Sequence, residues 1–252
     1  MTSVAVLGAT GNLGKHVARQ VLERSWSLSV AVRNRGRLNP AIAAHAHVAD
    51  LDLSSASIEQ LARFAEGHDA FVFCAGVVTE GEAFVSLVDK TVSALESIPQ
   101  ERRPVCWFLA GAALLSLDAA GRRGVDLPKV RDTYWPHRKN FDRLQSTTLD
   151  WRLLCPGPMV DQPALGLHRL RVSIDQLPTP LTSIAGSLPA PLVLPLFAMK
   201  IPEMIIPYAD AAAVILANVQ PNDSMSRHRV GIALPVGMKG KKDQWAARPR
   251  EA

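Results

Sequence analysis

Residues 132–144, DTYWPHRKNFDRL, gather Tyr134, His137, Arg138 and Lys139 within six positions. A phenol, an imidazole and an amine are groups that pass protons to and from carbonyl and hydroxyl oxygens. This stretch is therefore a candidate for acid–base chemistry. A second candidate is VAVLGATGNLGKHV, residues 4–17, with the spacing Gly8-x-x-Gly11-x-x-Gly14. Here the chemistry belongs to the backbone. The first glycine permits a sharp turn out of a strand. The second lets the chain approach a pyrophosphate, and the third lets helix and strand pack closely. N–H groups at the start of the following helix then face the phosphates. Thr10 and Asn12 can add side-chain hydrogen bonds, so the contact set is Gly8, Thr10, Gly11, Asn12, Leu13 and Gly14. The loop follows a Val-rich run and opens a helical pattern, the context that a dinucleotide-binding loop requires. The plain alternative is a tight structural turn.

The end of the second strand bears on which dinucleotide. An Asp or Glu there takes the ribose 2′-hydroxyl of NAD. This chain reads AVRNRGR, with Arg33, Asn34, Arg35 and Arg37 and no acid. A guanidinium suits a 2′-phosphate through charge and a planar donor fork. NADP is expected over NAD, with Arg33 and Asn34 as contacts. Asp50 and Leu51 end the third strand, where an adenine ring is flanked. Cys74, Ala75 and Gly76 end the fourth, where the backbone passes the ribose.

These loops need a scaffold, and the sequence describes one. Apolar runs at 3–8, 28–33, 45–50, 69–76, 103–111 and 149–156 read as strands. Helical spacing fills 12–24, 55–66 and 82–98, the last opened by a capping box from Thr79 to Glu82. The strand runs are continuously apolar, as in a parallel sheet covered on both faces. The expected fold is α/β: a doubly wound parallel, Rossmann-like sheet with a small proline-rich C-terminal substrate or lid region. The expected organisation is a nucleotide-binding domain over 1–155 and a lid over 156–207. A returning helix and strand over 208–238 complete the domain, and 239–252 form a mobile basic tail.

Ten of the eighteen prolines lie between 156 and 207. Residues 176–199 carry no charge and five prolines, which argues against a straight spanning helix. A lid is the main reading, and a membrane-surface contact the weaker one. The formal charge of +5 owes much to the last fourteen residues, with five Lys/Arg against two acids. No nucleic-acid partner is expected. Cys74, Cys106 and Cys155 lack metal-ligand spacing, so no metal is expected and the thiols read as buried in a reducing cytoplasm. The first residues show no leader pattern.

GATGNLG, VRN, AD-L-D-L, FVFCAG, LDWRLLCPGPMVD and YADAAAVILANV together resemble the atypical short-chain dehydrogenase/reductases, in texture the NAD(P)H-binding, NmrA-like branch. The resemblance covers roughly 3–160 and 204–235. It implies a serine after the strand VCWFLAG and a tyrosine followed four residues later by a lysine. Such a pair shares one helix face, so the ammonium lowers the phenol's pKa and holds the nicotinamide ribose. This chain departs at both places. It reads Ala110-Gly111-Ala112, with Ser116 as the nearest serine, and Tyr134 to Lys139 is five residues. Five residues turn a helix by about 140° from the starting face. Pro136 suits a helix start, making YWP a lead-in and HRKNFDRL the helix. Tyr134 and Lys139 remain the catalytic candidates, with His137 or Lys139 on the nicotinamide ribose. Pro156 and Gly157 are implied to line the nicotinamide pocket.

Two functions follow. One is an NADPH-dependent oxidoreductase without a full triad, passing hydride to a small hydrophobic acceptor: a quinone, a flavin or an enone. The other is a non-enzymatic NADP sensor, or an assembly or scaffold protein acting on a protein partner.

Overall fold

The computed structural model describes residues 1–241. Its strands are β1 (Ser3–Leu7), β2 (Ser27–Val32), β3 (His47–Asp50), β4 (Ala70–Phe73), β5 (Val105–Leu109), β6 (Trp151–Cys155), β7 (Met159–Val160), β8 (Arg171–Ile174), β9 (Ile206–Pro207) and β10 (His228–Ala233). Its helices are α1 (Asn12–Glu23), α2 (Pro40–Ala43), α3 (Ile58–Ala65), α4 (Glu82–Ser97), α5 (Val130–Gln145), α6 (Ala190–Lys200) and α7 (Tyr208–Ala217). Eight strands form one sheet in the order β3-β2-β1-β4-β5-β6-β10-β8. Every pairing is parallel except β10 with β8. Strands β7 and β9 pair separately.

Alternate residues of β1 explain why its whole run is apolar. Val4 and Val6 face one core with Leu13, Val17 and Val21 of α1 and Val214 and Ile215 of α7. Ala5 and Leu7 face the other with Leu61 of α3, Val88 and Leu95 of α4, and Phe141 and Leu144 of α5. The fold is the expected doubly wound Rossmann-like sheet. The strand order reverses between β1 and β4, leaving a crevice beyond their carboxyl ends, where open α/β sheets bind ligands.

Four details correct or add to the sequence expectations. Thr79 and Glu82 form no capping box. Glu80 instead accepts from Val77 N–H at 3.1 Å, closing a short turn, and α4 starts after Gly81 at φ +59°. Pro136 lies inside α5, not at its start. Its ring removes one hydrogen bond. Burial of Pro136, His137, Asn140, Phe141 and Leu144 along one face holds the helix through that gap. The proline-rich stretch does form an eleven-residue helix, α6, with Pro191 in its first turn and Pro195 inside. Strand β8 had no counterpart in the sequence reading. It is four residues long and half exposed, so its alternation is weak. No helix among the described residues is long and apolar enough to cross a membrane. The basic tail beyond Lys241 lies outside the described residues.

Candidate active site

The chain leaves β1 through Gly8 at φ +83°, where a side chain would meet the Cys74 carbonyl carbon at 2.7 Å. At Gly14 a side chain would strike the Gly8 carbonyl. These two positions require glycine, one for its dihedral and both for close approach. Gly11 precedes α1 without a side-chain cap, and the first turn holds no acid. The N–H groups at this helix start therefore remain open to an anion. Such a turn has the form of a pyrophosphate cradle, with Thr10, Asn12 and Leu13 in or beside it.

Past β2, Arg33 is exposed and makes no ion pair or hydrogen bond among the described residues; Asp52 is a nearby counter-charge. Asn34 spends its side-chain oxygen on Gly36 N–H at 2.8 Å. Arg35 reaches across to Asp50 at 2.7 Å and to the Val48 carbonyl at 2.8 Å. Asp50 is thus occupied by Arg35 at the exposed end of β3, with Leu51 half-buried beside it. Cys74 and Ala75 are half-buried at the end of β4. Gly76 (φ +77°) turns the chain where a side chain would strike Phe84.

A cavity of about 610 Å³ opens next to the glycine loop. Its floor is Asn12 from α1, Gly111 beyond β5 and the loop Pro156–Asp161 beyond β6. Its walls are Tyr134 and His137 from α5 and Tyr208 from the start of α7. Its roof is α6, through Leu194, Phe197 and Ala198, with Ile201 just past the helix. Gly111 keeps space open beside His137 and Tyr134: a Cβ there would lie 3.6 Å from His137 Nε2. Tyr134 and His137 stack with centroids 6.0 Å apart. Phe84 meets the edge of His137. Burial pushes the His137 imidazole down to about 4, so it is neutral at physiological pH. Its Nδ1 is buried without a partner.

Asp161 is the charged residue of the lining. Lys15 Nζ lies 2.6 Å from it and His16 Nε2 3.2 Å. The Lys15 hydrogen bond holds the Asp161 carboxyl below the usual carboxylate range. His16 is shifted down, chiefly by burial. On its other side it stacks on Tyr208, with centroids 6.0 Å apart and planes within 13°. Asn12 Nδ2 donates to the Tyr208 hydroxyl oxygen at 3.4 Å.

The structure brings Asn12, Tyr134, His137, Pro156 and Gly157 to one cavity. It does not bring Lys139 there. Lys139 pairs with Glu82 of α4 at 2.7 Å and lies over the Trp135 ring at 4.9 Å. The rotation of about 140° from Tyr134 accounts for this. Ser116 is buried elsewhere, its backbone bonded to Asp175 and Leu177. Tyr208, Asp161 and the α6 residues were not singled out in the sequence. One signal was available: the chain has two tyrosines, and both line the cavity.

A family described as NAD(P)H-binding matches residues 8–184, well over half of the chain. The chain belongs to that NAD(P)H-binding family. The match agrees with the resemblance to atypical short-chain dehydrogenase/reductases. No curated protein gives a significant sequence match. Solved structures share the fold. A Streptococcus pneumoniae protein provisionally named an NADH-flavin reductase superposes with a TM-score of 0.69 at 16% identity, covering 93% of this chain and 100% of that one. An oxidoreductase from Lactococcus lactis gives 0.65 at 16%, covering 98% and 96%. An anaerobilin reductase from Escherichia coli gives 0.59 at 14%, covering 93% and 98%.

Proposed function

We propose that this NAD(P)H-binding protein is an NADPH-dependent oxidoreductase that reduces a small, neutral, hydrophobic acceptor such as a quinone, a flavin or an enone. The cavity carries the reading. It adjoins the phosphate cradle, its roof is apolar, and its polar groups are uncharged apart from one paired carboxylate. The names of three structural neighbours, two reductases and one oxidoreductase, support the reaction class.

Bound NADPH would supply hydride. The residues do the rest. The α1 N-terminus holds the pyrophosphate, and Arg33, without an ion pair among the described residues, takes the 2′-phosphate. Pro156 and Gly157 form the floor beside the nicotinamide. Gly157 is pressed so closely on Met204 that a side chain would lie 2.6 Å from its carbonyl oxygen. Tyr134 and neutral His137 offer hydrogen bonds to the acceptor's oxygen without adding charge. Leu194 and Phe197 exclude water from the reacting face, which suits a greasy planar molecule.

The test follows NADPH absorbance at 340 nm with a panel of quinones, flavins and enones, against NADH. Acceptor-dependent loss with NADPH, weakened in Arg33→Glu, is the expected result. Two observations favour a second reading, an NADP sensor acting on a protein partner: Lys139 is committed to Glu82, and Ala110-Gly111-Ala112 stands directly after β5 where a serine is implied. Tight NADPH binding with no turnover across the panel would favour it.

A further inference from the structure

We propose that Tyr208, at the start of α7, is the proton donor to the acceptor's oxygen, a role the α5 pair of Tyr134 and Lys139 cannot share in this chain. The proposal rests on the oxidoreductase reading above. Tyr208 comes from a segment more than sixty residues beyond α5, and it faces the cavity from the glycine-loop side.

Three observations carry it. First, the ring is fixed. It stacks on His16, which is buried and held by Asp161, so the phenol has a defined direction. Second, its hydrogen is free. An amide nitrogen only donates, so the 3.4 Å contact from Asn12 Nδ2 occupies a lone pair on the phenol oxygen. No acceptor among the described residues takes the phenolic hydrogen. Third, Asn12 is the first residue of α1 and lines the cavity together with Tyr208, so the hydroxyl lies beside the helix start that would hold the pyrophosphate. Tyr134 stacks likewise, on His137, but differs at its hydroxyl. It is 36% exposed, and no hydrogen bond among the described residues orients its hydroxyl.

The step balances. Hydride from NADPH forms a new bond to the acceptor, and the displaced electron pair moves onto the acceptor's carbonyl oxygen. The Tyr208 O–H bond breaks and its proton goes to that oxygen. Water at the cavity mouth returns a proton to the phenolate. The products are the reduced acceptor and NADP⁺.

The experiment compares wild type, Tyr208→Phe and Tyr134→Phe. Phenylalanine keeps the ring and its stack on His16, and melting curves check folding. Two readouts are taken: menadione reduction by NADPH, and calorimetric binding of coumarin, a neutral lactone carbonyl, to NADP⁺-saturated protein. Tyr208→Phe is expected to lower kcat/KM for menadione about 10²-fold. It should weaken coumarin about tenfold, the loss of one neutral hydrogen bond, and leave NADPH affinity unchanged. The proposal is overturned if Tyr208→Phe matches wild type in both readouts, or if Tyr134→Phe carries the whole loss. It is also overturned if coumarin does not bind the wild type. Wild type that binds coumarin through Tyr208 yet reduces no acceptor would sink the oxidoreductase reading and the proton step. Tyr208 would then be a recognition group only.

Discussion

The phosphate cradle and the cavity lie side by side, yet they are built from different material. The cradle is backbone: one strand end, three glycines and a helix start within one short stretch. The cavity is side chains from five separate segments, brought together by the sheet and roofed by α6. A cradle of backbone tolerates almost no change where atoms touch. A cavity of side chains tolerates change and takes its chemistry from which residue stands at each wall.

Gly14→Ala tests the intolerant half and should have the largest effect. The added carbon strikes the Gly8 carbonyl and lies 2.7 Å from its carbon. A stability loss of about 3 kcal/mol is expected by chemical denaturation, with NADPH binding abolished. A melt and a binding curve indistinguishable from wild type would erase the contrast.

His137 tests the other half through pH. Its unfolded imidazole takes a proton near 6.5, and the folded one resists until about 4. Between those values the unfolded chain binds more protons, so stability falls as pH drops through this window and is full above it. The group accounts for about 3 kcal/mol of that fall. His16 and His68, also shifted down chiefly by burial, add to it in the same direction. His137→Gln should flatten the pH dependence of the melting temperature without removing it. An unchanged slope would mean the imidazole is not shielded.

If Arg33 takes the 2′-phosphate as proposed, Arg33→Glu should weaken NADPH about 30-fold, some 2 kcal/mol, by replacing a cation with an anion there. NADH affinity should barely move. Equal loss of both would place Arg33 outside any discrimination. The smallest effect belongs to Lys139→Met. Its pair with Glu82 is exposed on both sides, and such pairs contribute about 0.5 kcal/mol or less. Turnover within twofold of wild type is expected. A hundredfold loss would return Lys139 to the site.

The same contrast explains what the sequence disclosed. Gly8, Gly11 and Gly14 announce their purpose because backbone geometry is dictated by near neighbours. The sheet was legible because Val4, Ala5, Val6 and Leu7 must satisfy two cores at once, which leaves no polar position. Tyr208 gave no sign, since its meaning depends on Asn12 and His16, almost two hundred residues earlier. Pro136 misled, because local preference favoured a helix start and tertiary burial overrode it. Lys139 was a near miss in spacing that the helix turned into a change of address.

The three cysteines carry a further meaning. Quinones and enones are also alkylating agents, and they attack thiolates and free amines. Burial pushes the Cys74 thiol up to about 12 and raises Cys106 and Cys155 as well. Neither a thiol nor an amine lines the cavity. If the proposed reduction of such electrophiles holds, a cavity so lined would let the protein act repeatedly without being alkylated by them.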